Sequence, residues 1–246
     1  MKIARRRLLG LVGACLVVGG GAQSQDKAQD VIRVATDATF QPFEYSENGK
    51  RTGFDIELIE AIGKQLNKTV EWIDIDFKGL VPGLIANRFD VAASAIYITE
   101  ERRKVVEFTD SYYPGGLVIM VKKGDNRIKG PDDLNGKKVS VQVGTKSVNF
   151  LKDKFPAAER VEVEKNQEMF QLVEIGRTDA AVTGKPAAKV YAKTRGTLEV
   201  LDQPLTVEEY GFALRKSDPE LVKQFNEALK KLKADGTYDK LVSKYL

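Results

Sequence analysis

The sequence predicts an α/β fold built as two lobes joined by two extended linkers. Short apolar runs alternate with segments of helical periodicity in two separate series, the pattern of strands and helices around a mostly parallel sheet. Between the series, Tyr112-Tyr-Pro-Gly-Gly116 breaks the alternation and leads into an apolar strand at 117–121. Each series is too small for a typical mononucleotide domain, and the crossings between them read as extended rather than helical. The expected organisation is 31–114 with 210–246 in lobe 1, 117–207 in lobe 2, and hinges near 112–117 and 207–211.

Val31 to Thr36 alternates and then runs apolar, as a buried first strand does. Asp37 to Phe43 reads as a loop, and the Asn48-Gly49 turn folds Glu44 to Ser46 back on Arg51 to Gly53. Asp55 is the expected cap of a helix with Ile56, Leu58, Ile59, Ile62 and Leu66 on one face. Val70 to Ile75 is the second strand, with Trp72 expected in the core. A short helix with Pro82 in its first turn ends near Asn87. Asp90 to Ser94 is a third strand, Ala95 to Ile98 a turn, and Thr99 the cap of a helix with Arg102 at its third position. The second series has strands at 139–143, 161–163 and 179–183, with helices at 148–155, 167–176 and after Pro186. The 200–205 and 210–214 segments are extended, Ser217-Asp218-Pro219 opens a long helix, and a last helix starts near Asp239.

Arg102 is electrostatically misplaced for its helix. The first helical turn carries partial positive charge and favours acids, as at Glu100 and Glu101, so a cation there gains nothing from the helix. A lone arginine more often pairs with a neighbour such as Glu101 or lies on its own surface, but an anion facing it explains this placement better, and bidentate pairing makes a carboxylate the natural guest. In a mostly parallel sheet ligands sit beyond the carboxyl ends of the strands, which is where Asp37, Phe40, Phe77 and the Ser94 to Arg102 turn fall. Gly144-Thr145-Lys146-Ser147 lacks the spacing of a phosphate loop. It is either an ordinary helix start or a turn whose backbone N–H groups hold a carboxylate. Val182-Thr183-Gly184-Lys185 poses the same choice.

Composition excludes several function classes. Residues 1–22 carry a basic start (Lys2, Arg5, Arg6, Arg7), an apolar run from Leu8 to Val18 and small residues ending Gly20-Gly21-Ala22, the pattern of a secretory signal peptide. A lipoprotein box at Cys15 and a twin-arginine signal are the weaker readings. The whole chain has a formal charge of +4, but all of that excess lies in the leader, so no nucleic-acid partner is expected. Cys15 is the only cysteine and there is no histidine, so the remainder lacks both common soft metal ligands, and no cofactor is expected. With no histidine to activate a serine and no Gly-x-Ser-x-Gly elbow, nucleophilic catalysis is poorly supported.

The whole chain after the expected signal peptide resembles the periplasmic solute-binding proteins of polar amino-acid ABC importers, the bacterial extracellular solute-binding protein family 3. The likeness is carried by Ala35-Thr-Asp37 with Pro42-Phe-Glu44, Gly53-Phe-Asp55, Asp76-Phe77, Ile98-Thr-Glu-Glu-Arg102, Phe108, Asp110, Tyr112-Tyr113, Val143-Gly-Thr145, Tyr210-Gly211 and Asp235-Gly-Thr-Tyr238. The resemblance implies a type II, Venus-flytrap fold closing on a small carboxylate ligand in the periplasm, an ABC permease as partner, and a monomer. It implies that Arg102 clamps the ligand carboxylate, helped by Ser94 and Ala95 backbone groups and the Thr145 turn. Phe40 and Phe77 would flank the ligand, with Asp37 and Gln142 reading its distal end. Two positions depart from the family pattern. Tyr97 stands where a small hydroxyl residue is usual, and Gly184, followed by Lys185, stands where an aspartate usually meets the α-ammonium. The ligand is therefore either an ordinary α-amino acid, with Asp37 as substitute partner, or a carboxylate without that ammonium or with a second acid group met by Lys146 or Lys185. An exported dehydratase of cyclohexadienyl-dehydratase type is the alternative on the same fold.

Overall fold

The computed structural model describes residues 31–246, so the expected signal peptide at 1–22 lies outside the described residues. Two five-stranded sheets organise them. In the first, the order is Thr69–Asp74, Val31–Thr36, Val91–Ala92, Ala213–Arg215, Val106–Phe108. In the second it is Glu159–Val163, Lys138–Gln142, Ala180–Gly184, Leu117–Lys122, Leu198–Val200. One strand in each sheet runs against the other four: Ala213–Arg215 and Leu117–Lys122. Each is the strand that follows a crossing between lobes, which is why it enters from the opposite end.

The crossings are extended. Tyr113–Pro114 pairs antiparallel with Glu209–Tyr210, and the Gly115 N–H reaches the Glu208 carbonyl at 2.7 Å. The last two helices, Pro219–Ala234 and Thr237–Tyr245, return to the first lobe, where Tyr245 bonds Thr52 at 3.0 Å. Asp218 caps the former through the Leu221 N–H. Its apolar face, Leu221, Phe225, Ala228, Leu229 and Leu232, is buried at helical spacing.

Local readings shift at three places. Asp55 does not cap its helix. Gly53 precedes Phe54–Gln65, with a φ of 127 that only glycine adopts easily, and Asp55 turns inward in the first turn. Thr39–Phe40, read as loop, is the edge of a three-stranded hairpin sheet with Glu44–Glu47 and Lys50–Thr52. Trp72 is only half-buried, donating to Glu60 with the Arg51 guanidinium 6.0 Å from its ring.

Candidate functional site

Six strands running in the majority direction, Val31–Thr36, Thr69–Asp74, Val91–Ala92, Lys138–Gln142, Glu159–Val163 and Ala180–Gly184, end at or are followed by residues that line one cavity between the sheets. On the first lobe, Asp37 leaves its strand and buries its carboxylate, which accepts from Thr39, Phe77 N–H, Gln142 and Lys165. Ser94 follows its strand and donates to Glu44 at 2.9 Å. Ala95 takes a left-handed φ of 42, uncommon outside glycine, and points its N–H at Asp55, which also accepts from Tyr112. That strain is held by the buried Asp55 carboxylate beneath the turn.

Thr99 caps the short helix Glu100–Arg103 by accepting from Arg102 N–H, as the sequence predicts. The cap fixes where the Arg102 side chain leaves. Its guanidinium donates to the Tyr97 carbonyl at 3.0 Å and, across the cleft, to the Gly144 carbonyl at 3.3 Å, with Phe77 against its face at 5.6 Å. Burial pushes it down to about 10, still above neutral pH, so it stays charged. Among the described residues no carboxylate forms an ion pair with it.

On the second lobe, Gln142 ends its strand and spans Asp37, the Glu164 carbonyl and Asn166. Thr145 turns its hydroxyl back to the Gln142 carbonyl, so the first turn of helix Lys146–Lys154 has no side-chain cap. That leaves an uncapped helix N-terminus beside Arg102, with N–H groups suited to an anion. Thr183 and Gly184 close the wall from the strand end Ala180–Gly184.

One cavity between the lobes gathers Asp37, Phe40, Phe77, Ser94, Ala95, Tyr97, Arg102, Gln142, Thr145, Lys146, Thr183 and Gly184. Lys185 is not on its wall; it begins the next helix and its N–H donates to the Gly116 carbonyl at 2.9 Å. Lys146 lines the cavity but is ion-paired to Glu208 from the second crossing, so it is not a spare cation for a second ligand acid. Asp37 is likewise committed, with Lys165 at 2.9 Å, and is a poor substitute partner for an amine. The Tyr97 hydroxyl donates to the Gly116 carbonyl and accepts from Gly116 N–H and Tyr210, so only its ring is offered to the cavity.

Glu44, Leu117, Ser147, Asn166, Val182 and Tyr210 complete the wall. Lys165 and Asn166 follow the strand Glu159–Val163, so the strand-end argument that finds Asp37 also reaches them. Glu44 carries no such signal, because its burial depends on the hairpin folding over the first helix.

The model described as bacterial extracellular solute-binding proteins, family 3, matches residues 32–246. The chain belongs to that family. It is 34% identical over 243 residues to the probable amino-acid-binding protein YxeM of Bacillus subtilis (strain 168), covering 97% of this chain and 91% of that one. It is 30% identical to the L-cystine-binding protein TcyJ of Escherichia coli (strain K12), covering 100% and 97%. Among solved structures, an ancestral arginine-binding protein bound to arginine is 41% identical with a TM-score of 0.85, over 89% of this chain and 99% of that one. The ancestral amino acid-binding protein AncCDT-1, a precursor of cyclohexadienyl dehydratase, is 44% identical with a TM-score of 0.82, over 87% and 95%.

Within this solute-binding fold the two departures at Tyr97 and Gly184 meet. The rings of Tyr97 and Tyr210 stack at 4.5 Å. A Cβ at Gly184 would lie 2.4 Å from the Tyr210 hydroxyl, 3.1 Å from that of Tyr97 and 3.2 Å from Phe40. The space a side chain at 184 would need is filled by the two phenols.

Proposed function

We propose that this chain is an exported receptor that captures a small α-amino acid, or a related organic acid, between its lobes and hands it unchanged to an ABC permease. The observation that carries the reading is Arg102: a half-buried cation without a carboxylate partner among the described residues, beside an uncapped helix N-terminus. Its guanidinium and that N-terminus together suit a ligand carboxylate. Phe40 and Phe77 supply the apolar walls, Ser94 and Ala95 the neighbouring backbone, and Gln142 and Thr183 further polar contacts. The relatives bear names of amino-acid-binding proteins, which favours that ligand class here. The leader at 1–22 supports export to the periplasm, and both lobes come from one chain, which suits a monomer.

Calorimetry against the common L-amino acids, L-cystine and simple organic acids tests this. Arg102→Ala is expected to weaken the tightest wild-type binder by about 30-fold or more, the loss for truncating a buried charge partner. Unchanged affinity would sink the reading. Turnover of prephenate or arogenate by the wild-type protein would replace it with a dehydratase.

A further inference from the structure

Among the cavity's acidic and basic side chains, two have no counter-ion among the described residues. Asp37 faces Lys165 and Lys146 faces Glu208. Arg102 is the unpaired cation, and Glu44 is the unpaired acid. Glu44 opens the strand Glu44–Glu47 and is fully buried. One carboxyl oxygen accepts from Ser94 at 2.9 Å, while Oε2 is sealed from solvent with no partner. A buried oxygen left without a partner is costly, and the cost is removed by a group that meets it.

The groups around Glu44 offer no cation. Asp55 approaches from helix Phe54–Gln65 and Asp37 from the loop after the first strand. The Tyr112 and Tyr210 phenols come from the two crossings, and the Ser94 hydroxyl from the third strand's end. Burial, then the charge of Asp55, pushes the Glu44 carboxyl well above the usual range. Asp55 is better held, accepting from both Ala95 and Tyr112 on Oδ2, so of the two raised acids Glu44 is the one to keep its proton longer as pH rises. Across the cavity, Gly184 offers no side chain and the two phenols leave no room for one.

We propose that Glu44 is the ammonium-binding group of this cavity: a ligand whose carboxylate sits at Arg102 sets its ammonium against the Glu44 carboxyl on the cavity wall, and the Glu44 proton passes to solvent as the ion pair forms. The amino acid enters as a zwitterion, the complex holds a Glu44 carboxylate facing an ammonium, and one proton goes to the buffer. This deepens the amino-acid reading and rests on it, supplying the acid that a zwitterion requires. A purely structural rival exists, in which the Glu44 proton is shared with Asp55, whose Oδ1 also lacks a partner.

The test is isothermal calorimetry on the purified protein with L-arginine, L-glutamine and L-histidine. Each is paired with its deaminated counterpart: 5-guanidinopentanoic acid, glutaramic acid and 3-(imidazol-4-yl)propanoic acid. Titrations in buffers of different ionisation enthalpy count protons. The expected result is an amino acid bound about 30-fold or more tighter than its deaminated partner, as loss of one member of a buried ion pair implies. Close to one proton should be released near pH 6, with affinity tightening up to about tenfold per pH unit. Glu44→Gln should lose both the preference and the proton release, while still binding the deaminated acid through Arg102. Equal binding of amino and deaminated acids, binding without proton release between about pH 5 and 8, or a preference that survives Glu44→Gln overturns the proposal. If Glu44→Gln does not fold, the wild-type preference and proton count decide alone. Binding indifferent to Arg102→Ala overturns the amino-acid reading instead, and no binding by these six compounds, the other common L-amino acids, L-cystine or simple organic acids overturns both.

Discussion

Adding one methyl group at Gly184 should cripple ligand capture without unfolding either lobe. The backbone there has φ −68 and ψ 133, ordinary for any residue, so space and not conformation excludes a side chain. The new Cβ would lie 2.4 Å from the Tyr210 hydroxyl, a fully buried ring that cannot swing away, and 3.1 Å from that of Tyr97. Gly184 belongs to the second lobe, whereas Tyr97 and Phe40 belong to the first and Tyr210 to a crossing. The clash therefore opposes approach of the lobes. Overpacking of this size costs about 1–3 kcal/mol, a weakening of affinity by about 5- to 150-fold for Gly184→Ala. Tyr210→Phe removes the nearest atom and one hydrogen bond to Tyr97, a net loss of about 1 kcal/mol on its own. Combined with Gly184→Ala it should restore most of the lost affinity, an interaction energy of about 1 kcal/mol or more between the two changes. Calorimetry with the amino acid bound by the wild type measures each corner of the cycle, and thermal unfolding without added ligand checks that the lobes are intact. Affinity within about twofold of wild type for Gly184→Ala would refute the steric argument, and strictly additive effects would refute the assignment to Tyr210.

Two further outcomes follow from buried charge. Lys165 joins the lobes by donating to Asp37 at 2.9 Å and pairing with Asp76 at 2.8 Å, so Lys165→Met should weaken ligand affinity about 5- to 30-fold at low salt, a range kept modest because the lysine is partly exposed. Unchanged affinity in titrations at low ionic strength would exclude that role. Burial raises Asp55 to about 7, against hydrogen bonds from Ala95 and Tyr112 that favour its charge. The folded protein then holds more protons than the unfolded chain between about pH 4 and 7, so stability should fall as pH rises through that window, by up to ~4 kcal/mol from this group. Asp55→Asn, which keeps an acceptor for both donors, should flatten the urea midpoints between about pH 5 and 7.5. A wild-type stability that rises over that interval, or an unaltered slope in the variant, would contradict the sign.

The two-lobe architecture and most of the cavity wall were legible because both depend on short-range signals. Thr99 could be placed as a cap from its own spacing, and that placement alone marked Arg102 as a cation in need of an anion. The strand-end rule then brought Asp37, Phe77 and Ser94 to one cleft. What escaped were pairings between distant segments. Lys146 looked available until Glu208, sixty-two residues on, came beside it. Asp55 looked like a helix cap because the sequence does not reveal the inward-facing Ala95 N–H forty residues away. Glu44 sits in a quoted motif, yet its burial and unpartnered oxygen arise only when hairpin, helix and the Ser94 turn close together.

Tyr97 changes meaning once its hydroxyl is followed. A phenol has one proton to donate and two lone pairs, and here Gly116 and Tyr210 use all three. Gly116 lies in the first crossing with a φ of 118, and a Cβ there would sit 2.5 Å from the Thr206 carbonyl of the second. Through Tyr97, then, the wall of the cavity is bonded to the strand pair that joins the lobes, and at Gly184 the same ring helps fill the space that a second-lobe side chain would need. A small hydroxyl residue at 97 has no reach to Gly116, and a side chain at 184 has no space beside Tyr210. The two departures are one structural change, and that change leaves amine recognition to the near lobe, where the carboxyl of Glu44 sits on the cavity wall with an oxygen unused.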